Sequence, residues 1–502
     1  MSLLRILPWI VLIVIASTFI QTYSLMNWDA SWLLHCGQSM LHGGRYYYDF
    51  AETNPPLILW LGFLIIGLSK LFQLSLHASL LLFYYLVGLA SLWLSARFIK
   101  QSLKSIQEYQ AIILGLCVGY FLLSGTIFGE RECFAIVFSV PYFCMRSVAL
   151  TGKSVSPLMR GLVIGFAALG FFLKPYFLLP LLLVEFYAAV RARRLRVLLS
   201  VELVSFFVLG CLYLVLIAYF TPEYYTKMLP LVTTLYLPFW QASWTLLLSY
   251  NACLAWIAAF LFACVALRHL KGPFARVCLI AAAGYLWGAY FIQHKAWYYH
   301  IYPFIVLMTA MLFLTCGHYY ADLKAKGFAF GRELKSTVML IISLFFMIAV
   351  VLSVILKVNY TGVFLANSNK SVYVRLLKIP KKMHVEQGAV LMADENIGLN
   401  EVLWNNYPGL YSAIKTPSLL FMPAIPKLEA KGKLTLRQHY WVRQAENLFF
   451  DSLESTRPKL IIFFRKRHYN DILRRFPRYR EFAAGYYLSD QTKDFLVYRR
   501  RP

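Results

Sequence analysis

Ten apolar runs, each near or at the length that crosses a bilayer, dominate the first 356 of the 502 residues. They lie near residues 7–26, 78–96, 111–127, 133–150, 161–190, 198–220, 246–267, 275–292, 300–316 and 336–356. Because 60% of the residues are hydrophobic and only 14% are charged, a water-soluble fold could not hide this much apolar surface. We therefore predict an α-helical polytopic membrane protein with about 11 crossings, in which Lys174-Pro175 divides the fifth run into two helices.

The first apolar run begins like a signal peptide, since Arg5 precedes it and small residues such as Ala16 follow. The run continues to Met26, which is longer than the apolar core of a typical signal peptide. We therefore expect an uncleaved membrane anchor.

The pattern changes after Leu356, where short apolar stretches alternate with polar helical ones. The sequence predicts strands at 389–393 and 459–464, and hence a transmembrane domain over residues 1–356 and a soluble α/β domain over 357–502. The second domain has 25 Lys and Arg against 12 Asp and Glu, a formal charge of +13. With no nucleic-acid motif in the chain, this charge favours an anionic lipid or glycolipid partner.

Loop charges predict how the chain is oriented. If 57–74 crossed the membrane, nearly every basic loop would face outward, against the positive-inside rule. We therefore expect 57–74 to lie in the outer leaflet, which makes the basic stretches cytoplasmic: 97–104, 146–160, 191–196, 268–276 and 324–335. Counting alternate crossings from the same starting point predicts that the C-terminal domain and five polar segments share the outer face: 27–57, 128–132, 173–176, 221–245 and 293–300.

The opening loop, 27–57, combines carboxylates, a cation and aromatic rings. Asp29 could cap the following helix, or it could act as a catalytic base. Four further side chains could belong to a solvated loop or bind a sugar phosphate at headgroup depth, and we predict the second: Arg45, Tyr48, Asp49 and Glu52.

Charged residues also interrupt two apolar stretches further along. In GERE (129–132), Arg131 could form an ion pair with one of the glutamates. Alternatively, and as we predict, Arg131 binds substrate and Glu130 and Glu132 take part in catalysis. Lys174 could extend to the membrane surface or bind a phosphate.

The stretch QHKAWYYH could form an aromatic belt at the membrane surface, or it could contribute to a substrate site. We predict that four of its residues bind substrate: His294, Lys295, Tyr299 and His300. The spacing of its two histidines is weak as a metal pattern. The metal ligands therefore stay unassigned, with no certain cofactor and a divalent cation left open.

Several of these motifs together resemble the GT-C fold glycosyltransferases, specifically bacterial membrane proteins related to protein mannosyltransferases and lipid A aminoarabinose transferases. The resemblance begins with an acidic residue after the first helix, Asp29, and includes GGRYYYDFAETNPPLILWL at 43–61. It continues through GERECFAIVFSVPYF (129–143), FFLKPYFLLPLLLVE (171–185), HKAWYYHIYP (294–303), NNYPGLYSAIKTPSLLFMPAI (405–425) and RPKLIIF (457–463).

The resemblance implies an enzyme that moves a sugar from a polyprenyl-phosphate donor to an acceptor, with inversion at the anomeric carbon. In this family the acidic residue of the first outer loop is the proposed general base, which here is Asp29. Its neighbours are Trp28 and Ala30 where relatives often have a second acid, so a partner carboxylate would come from Glu130 or Glu132.

The chemistry also agrees with the residues themselves, since this transfer needs a base for the acceptor hydroxyl and cations or a metal for the leaving phosphate. The expected partners are the lipid-linked donor, membrane lipid and a glycolipid, lipopolysaccharide or protein acceptor. The expected location is the bacterial inner membrane, with the active site facing the periplasm. A flippase or transporter, or a polymerase or ligase for lipid-linked saccharides, is the alternative.

Overall fold

Helices make up most of the computed structural model, which describes residues 5–24, 26–103, 105–239, 241–270, 272–327, 333–354, 372–385, 390–393, 420–422, 424–430, 432, 434–465 and 469–502. Up to residue 354 the helices are α1 (Leu7–Tyr23), α2 (Trp28–Leu41), α3 (Leu57–Phe72), α4 (Leu76–Ser102), α5 (Ile106–Cys117), α6 (Arg131–Ala149), α7 (Pro157–Phe171), α8 (Leu178–Ala192), α9 (Val201–Phe220), α10 (Leu229–Leu235), α11 (Trp244–Ser249), α12 (Cys253–Ala266), α13 (Phe274–Tyr285), α14 (Tyr298–Ala325) and α15 (Leu334–Val354).

Six helices are long and apolar enough to cross a membrane, where α8 is counted with the 3₁₀ turn before it and α13 with the π-helical segment after it, and six shorter apolar helices accompany them within the described residues. The protein is an α-helical polytopic membrane protein, as predicted. The break at Lys174-Pro175 is confirmed, because α7 ends at Phe171 and a 3₁₀ turn, Pro175–Phe177, leads into α8. The number of crossings and the outer-leaflet position of α3 stay predictions.

The chain after residue 371 forms a small α/β fold. Its elements are α16 (Val372–Lys382), β1 (Val390–Ala393), α17 (Ala424–Glu429), α18 (Leu436–Thr456), β2 (Leu460–Phe464), α19 (Tyr469–Leu473), α20 (Tyr479–Gly485), β3 (Tyr486–Gln491) and β4 (Phe495–Arg500). The sheet order is β1-β2-β4-β3, with β1 parallel to β2 and the other pairs antiparallel. Both predicted strands are therefore confirmed.

Strand β2 is buried on both faces. Because successive side chains of a strand point to opposite faces of the sheet, β2 contributes to two cores, one on each side. Ile461 and Phe463 pack in one core with Phe449 and Phe450 of α18. Leu460 and Ile462 point into the other core, which contains side chains of α16. The sheet therefore lies between helices, as expected for a strand with a continuous apolar run.

The chain divides into two compact units. The first contains Met1–Ser24, His77–Leu214 and Ala242–Gly362, and the second contains Leu25–Leu76, Val215–Gln241 and Val363–Pro502. The second unit therefore groups the opening loop with the α/β fold, a grouping that the linear division at 356/357 did not anticipate. That predicted boundary lies outside the described residues, as does most of the motif at 405–425.

Candidate active site

Three helical segments of the first unit begin at one buried polar cluster. Glu130 is the N-cap of α6, and Lys174 precedes the 3₁₀ turn that leads into α8. His300 belongs to the first turn of α14. The first backbone N–H groups of a helix lack partners within it, so its N-terminal end carries partial positive charge. The cluster is therefore electropositive before any side chain is counted.

Lys174 and Glu132 form the centre of this cluster. The Lys174 Nζ atom donates a hydrogen bond to Glu132 Oε1 at 2.7 Å, and both side chains are buried. The Lys174 side chain therefore points into the protein and not into solvent, unlike the extended lysine of the competing interpretation. Burial lowers the pKa of its ammonium group, and the Glu132 carboxylate opposes that effect.

His300 lies near the same carboxylate oxygen. Its Nε2 atom is 3.8 Å from Glu132 Oε1, and its ring packs edge-on against Tyr299 with centroids 4.5 Å apart. Within the described part of the chain, Glu132 Oε2 and His300 Nδ1 are buried and have no hydrogen-bond partner. Buried polar atoms normally have partners, so these two can engage a ligand that enters the cluster.

Two further cations complete the cluster. Arg131 Nη2 lies 3.4 Å from Glu130 Oε2, which is the ion pair considered from the sequence. Arg131, Lys174 and Lys295 are all close enough to His300 to interact with it electrostatically. Three cations thus stand against the carboxylates of Glu130 and Glu132. A buried site with this excess of positive charge can hold an anion such as a phosphate.

Aromatic rings position the cations. The Lys174 Nζ atom lies 5.6 Å from the centroid of the Tyr299 ring, and Lys295 Nζ lies 4.7 Å from that of Trp297. Trp297 also contacts His300, with ring centroids 5.4 Å apart. The structure therefore brings together Lys174, the charged residues of GERE, and Lys295, Tyr299 and His300 of QHKAWYYH. It adds Trp297, which the sequence had suggested only as part of an aromatic belt, whereas the predicted residue His294 packs against Trp244.

The backbone before α14 is constrained. His294 and Ala296 both have positive φ, at 54° and 56°, a conformation that costs energy for residues other than glycine. The His294 carbonyl accepts a hydrogen bond from Ala242 N at 2.7 Å, and its ring packs edge-on against Trp244. Strain of this kind is concentrated at functional loops, where the surrounding contacts maintain it.

In the second unit, Asp29 is not the cap of α2. The helix begins at Trp28, and the Asn27 side chain caps it by accepting a hydrogen bond from Ala30 N at 3.0 Å. Asp29 belongs to the first turn and is partly exposed. The capping interpretation of Asp29 is therefore wrong, and its carboxylate is not committed to that role.

Glu52 is buried, unlike a residue of a solvated loop. It accepts hydrogen bonds from Trp32 Nε1 at 2.6 Å and from Asn54 N at 2.8 Å. The Tyr46 hydroxyl donates to the carbonyls of Glu52 and Asn54 at 2.9 and 2.6 Å. These bonds fix the loop, so the observed geometry gives Glu52 a structural role in addition to the substrate binding predicted for it.

The three other predicted residues of the opening loop are exposed. Arg45 Cζ lies 4.4 Å from the centroid of the Tyr48 ring, and Arg45 N donates to Asp49 Oδ2 at 2.7 Å. A guanidinium stacked on an exposed ring and a nearby carboxylate together can contact a sugar through its hydroxyls and its apolar face.

Over nearly its whole length the chain is similar to a solved membrane protein, ArnT from Cupriavidus metallidurans in the apo state. The TM-score is 0.53 at 12% sequence identity, and the match covers 98% of this chain and 97% of that one. No protein-family model and no curated protein matches the chain.

The chain has the GT-C fold. The resemblance noted from the motifs is therefore confirmed at the level of the fold. Among the described residues, no group of three or more His, Cys, Asp and Glu is placed to hold a metal ion.

A further buried ion pair lies in the first unit and was not predicted. Arg146 donates two hydrogen bonds to Glu185, each of 2.7 Å, and Tyr142 donates a third. Arg146 was expected in a cytoplasmic basic loop, but it lies inside α6 and is buried. The presence of a charged residue inside an apolar helix was the signal in the sequence that could have indicated this pair. The pair joins α6 to α8.

Proposed function

We propose that this GT-C protein is an inverting glycosyltransferase that moves a sugar from a polyprenyl-phosphate donor to an acceptor of the bacterial envelope. The single observation that carries the proposal is the buried Glu132–Lys174 pair, surrounded by further cations at three helical N-terminal ends. A lipid-linked phosphate needs fixed positive charge at membrane depth, and such charges are costly unless they have a function.

The proposed reaction breaks the bond between the anomeric carbon and the donor phosphate oxygen. An acceptor hydroxyl attacks the opposite face of that carbon, and its proton passes to a carboxylate, for which we propose Asp29. The phosphate leaves with the electron pair of the broken bond. Arg131, Lys174 and Lys295 would stabilise the negative charge that develops on the phosphate. Electrostatic stabilisation of this kind is usually the largest single contribution to catalysis.

Glu132 would then serve two purposes. Its Oε1 atom holds Lys174, and its Oε2 atom, buried and without a partner in the described residues, can accept a hydrogen bond from a sugar hydroxyl. His300 can donate or accept at Nδ1 in the same way. We propose that the site faces the periplasm and that the acceptor is a glycolipid, lipopolysaccharide or protein.

The test uses purified protein in nanodiscs and a panel of radiolabelled polyprenyl-phosphate sugars with an envelope lipid extract as the acceptor. We expect transfer from at least one donor, and a loss of at least about 100-fold for Asp29→Asn, because a general base contributes 10²–10⁴-fold. The matched control is Asp471→Asn, an exposed carboxylate of α19.

Full transfer by Asp29→Asn would remove Asp29 from the mechanism. If no donor is turned over while a labelled lipid-linked sugar crosses proteoliposome membranes, the protein is a transporter and the proposal fails. Transfer from a polyprenyl diphosphate alone would identify a ligase or polymerase instead.

A further inference from the structure

A cavity of 490 Å³ lies against α18 in the second unit. Its lining residues come from one face of that helix and from the turn after α19: His439, Tyr440, Val442, Arg443, Glu446, Phe476 and Pro477. His439, Arg443 and Glu446 are spaced by four and three residues, so they project from the same side of the helix. The volume falls within the range of small-molecule pockets, roughly 300–1,000 Å³.

Positive charge lies at this cavity, beside the Glu446 carboxyl that also lines it. Arg443 is exposed, and in the described part of the chain it forms no ion pair, in contrast to Arg478 nearby, which pairs with Asp451 and Glu454. Lys227, on the segment before α10, is not part of the lining, but its Nζ atom donates to the hydroxyl of the lining residue Tyr440 at 3.4 Å. Arg443 therefore lines the cavity without a salt bridge within the described residues, and the Glu446 carboxyl offsets part of its charge.

The remaining walls suit a sugar. Phe476 belongs to the core of the α/β fold and lines the cavity, so it provides a fixed apolar wall. Tyr440 and His439 offer exposed rings and hydrogen-bonding atoms. Burial raises the pKa of the Glu446 carboxyl, and Arg443 and Arg478 oppose that effect. A carboxyl beside arginine can accept hydrogen bonds from sugar hydroxyls.

The cavity helix is also attached to the opening loop. The Tyr47 hydroxyl donates to Gln444 Oε1 at 2.9 Å, one residue from Arg443. Tyr47 is buried and has a φ of 71°, which is rare for a bulky residue and is maintained here by its contacts. The loop that carries Arg45 and Tyr48 is therefore fixed to the helix that lines the cavity.

We propose that this cavity is a binding subsite for the anionic saccharide headgroup of the acceptor. Arg443 holds a phosphate or carboxylate, Lys227 adds positive charge next to the lining residue Tyr440, and Phe476 and Tyr440 pack against the sugar ring. The inference rests on the proposed function, since it names the acceptor as an anionic saccharide. It does not depend on the identity of the transferred sugar.

Binding to the full-length protein in phosphatidylcholine nanodiscs tests the subsite without any transfer. The probes are lactose 1-phosphate, lactose and inorganic phosphate, and isothermal titration calorimetry measures the affinity of each. We expect lactose 1-phosphate to bind most tightly, and Arg443→Ala to weaken it about tenfold or more, as expected for loss of a charge-assisted hydrogen bond. Arg437→Ala, on the same helix but outside the cavity lining, is the control.

Equal affinity for lactose 1-phosphate and inorganic phosphate would overturn the proposal, because the cavity would then be a plain anion site. Equal affinity for lactose and its phosphate would also overturn it. The protein could also associate more strongly with nanodiscs of phosphatidylglycerol than with nanodiscs of phosphatidylcholine. If Arg443→Ala abolished that difference, the cavity would be a lipid-surface contact in place of a saccharide subsite.

Transfer assays separate this inference from the proposed function. We expect Arg443→Ala to raise the acceptor KM at least tenfold while leaving the donor KM unchanged. Active protein with an unchanged acceptor KM would overturn the subsite and leave the glycosyltransferase proposal intact. Selective binding of lactose 1-phosphate by a protein that transfers no sugar would overturn only the proposed function.

Discussion

At the scale of single residues, the most informative pair is Lys174 with Glu132. Both are buried, and each neutralises part of the charge of the other. A buried ion pair is weak evidence for a stabilising role, because removing both charges is often harmless, whereas removing one leaves the other uncompensated. Stability measurements can therefore separate a structural pair from one that is retained for binding.

We expect Lys174→Met alone to lower the free energy of unfolding by about 3–5 kcal/mol, because it leaves the Glu132 carboxylate buried without its cation. The double variant Lys174→Met with Glu132→Gln should recover most of that loss. Thermal unfolding in detergent, monitored by tryptophan fluorescence, measures the stability of the single and the double variant. A double variant no more stable than the single one would contradict this assignment.

The cap of α2 shows what the sequence leaves undetermined at this scale. Asn27 and Asp29 are equally good capping residues by type, and only the backbone decides which one lies before the first helical residue. Glu52 shows the same limit, since its partner Trp32 is 20 residues away in the chain. The residue types at the site were predictable, whereas their hydrogen-bond partners required the fold.

At the scale of helices, glycine allows close packing beside the candidate site. An added Cβ at Gly288 would lie 2.5 Å from the Tyr176 carbonyl oxygen, and one at Gly284 would lie 2.5 Å from Pro180 Cα. Backbones approach each other closely in this way where small residues lie between membrane helices. Tyr176 follows Lys174 by two residues, so we expect this contact to help position the lysine.

We predict that Gly288→Ala lowers transfer activity and costs about 1–3 kcal/mol of stability, the usual effect of overpacking. Gly161→Ala in α7 is the matched control, because no described atom lies within 4 Å of the added Cβ. Activity assays and unfolding in detergent compare the two. Wild-type activity in a folded Gly288→Ala variant would show that this contact does not position Lys174.

Helix boundaries were largely predictable because Pro and Gly interrupt the apolar runs. The helix at 57 begins directly after Pro55-Pro56, and the preceding helix ends before Gly43, whose φ is +85°. Which helices contact each other was not predictable. Arg146 was assigned to a loop because its partner Glu185 lies on another helix, and no periodicity in either segment indicates the pairing.

At the scale of the whole molecule, the fold is shared with ArnT over nearly the full chain at only 12% identity. Apolar runs and a few loop motifs were sufficient to indicate it, since the membrane restricts spanning segments to helices and closed barrels. The grouping of the opening loop with the α/β fold in one compact unit was not evident, because it depends on contacts between distant segments such as Tyr47 and Gln444.

Orientation is the whole-molecule prediction that most needs a measurement. It depends on α3, whose 16 residues extend about 24 Å, less than the roughly 30 Å of a bilayer core. We expect a C-terminal tag to be accessible to protease at the periplasmic face of spheroplasts. A tag protected in spheroplasts and cleaved only after lysis would contradict the predicted orientation.

The central claim is that the cluster around Lys174 binds the donor phosphate for sugar transfer. The most direct test is the initial rate of transfer by the double variant Lys174→Met with Glu132→Gln, compared with Lys153→Met, an exposed lysine that donates to a backbone carbonyl. We predict a loss of at least about 100-fold in kcat/KM for the donor in the folded double variant and no change in the control. A folded double variant that transfers sugar at the wild-type rate would contradict the claim.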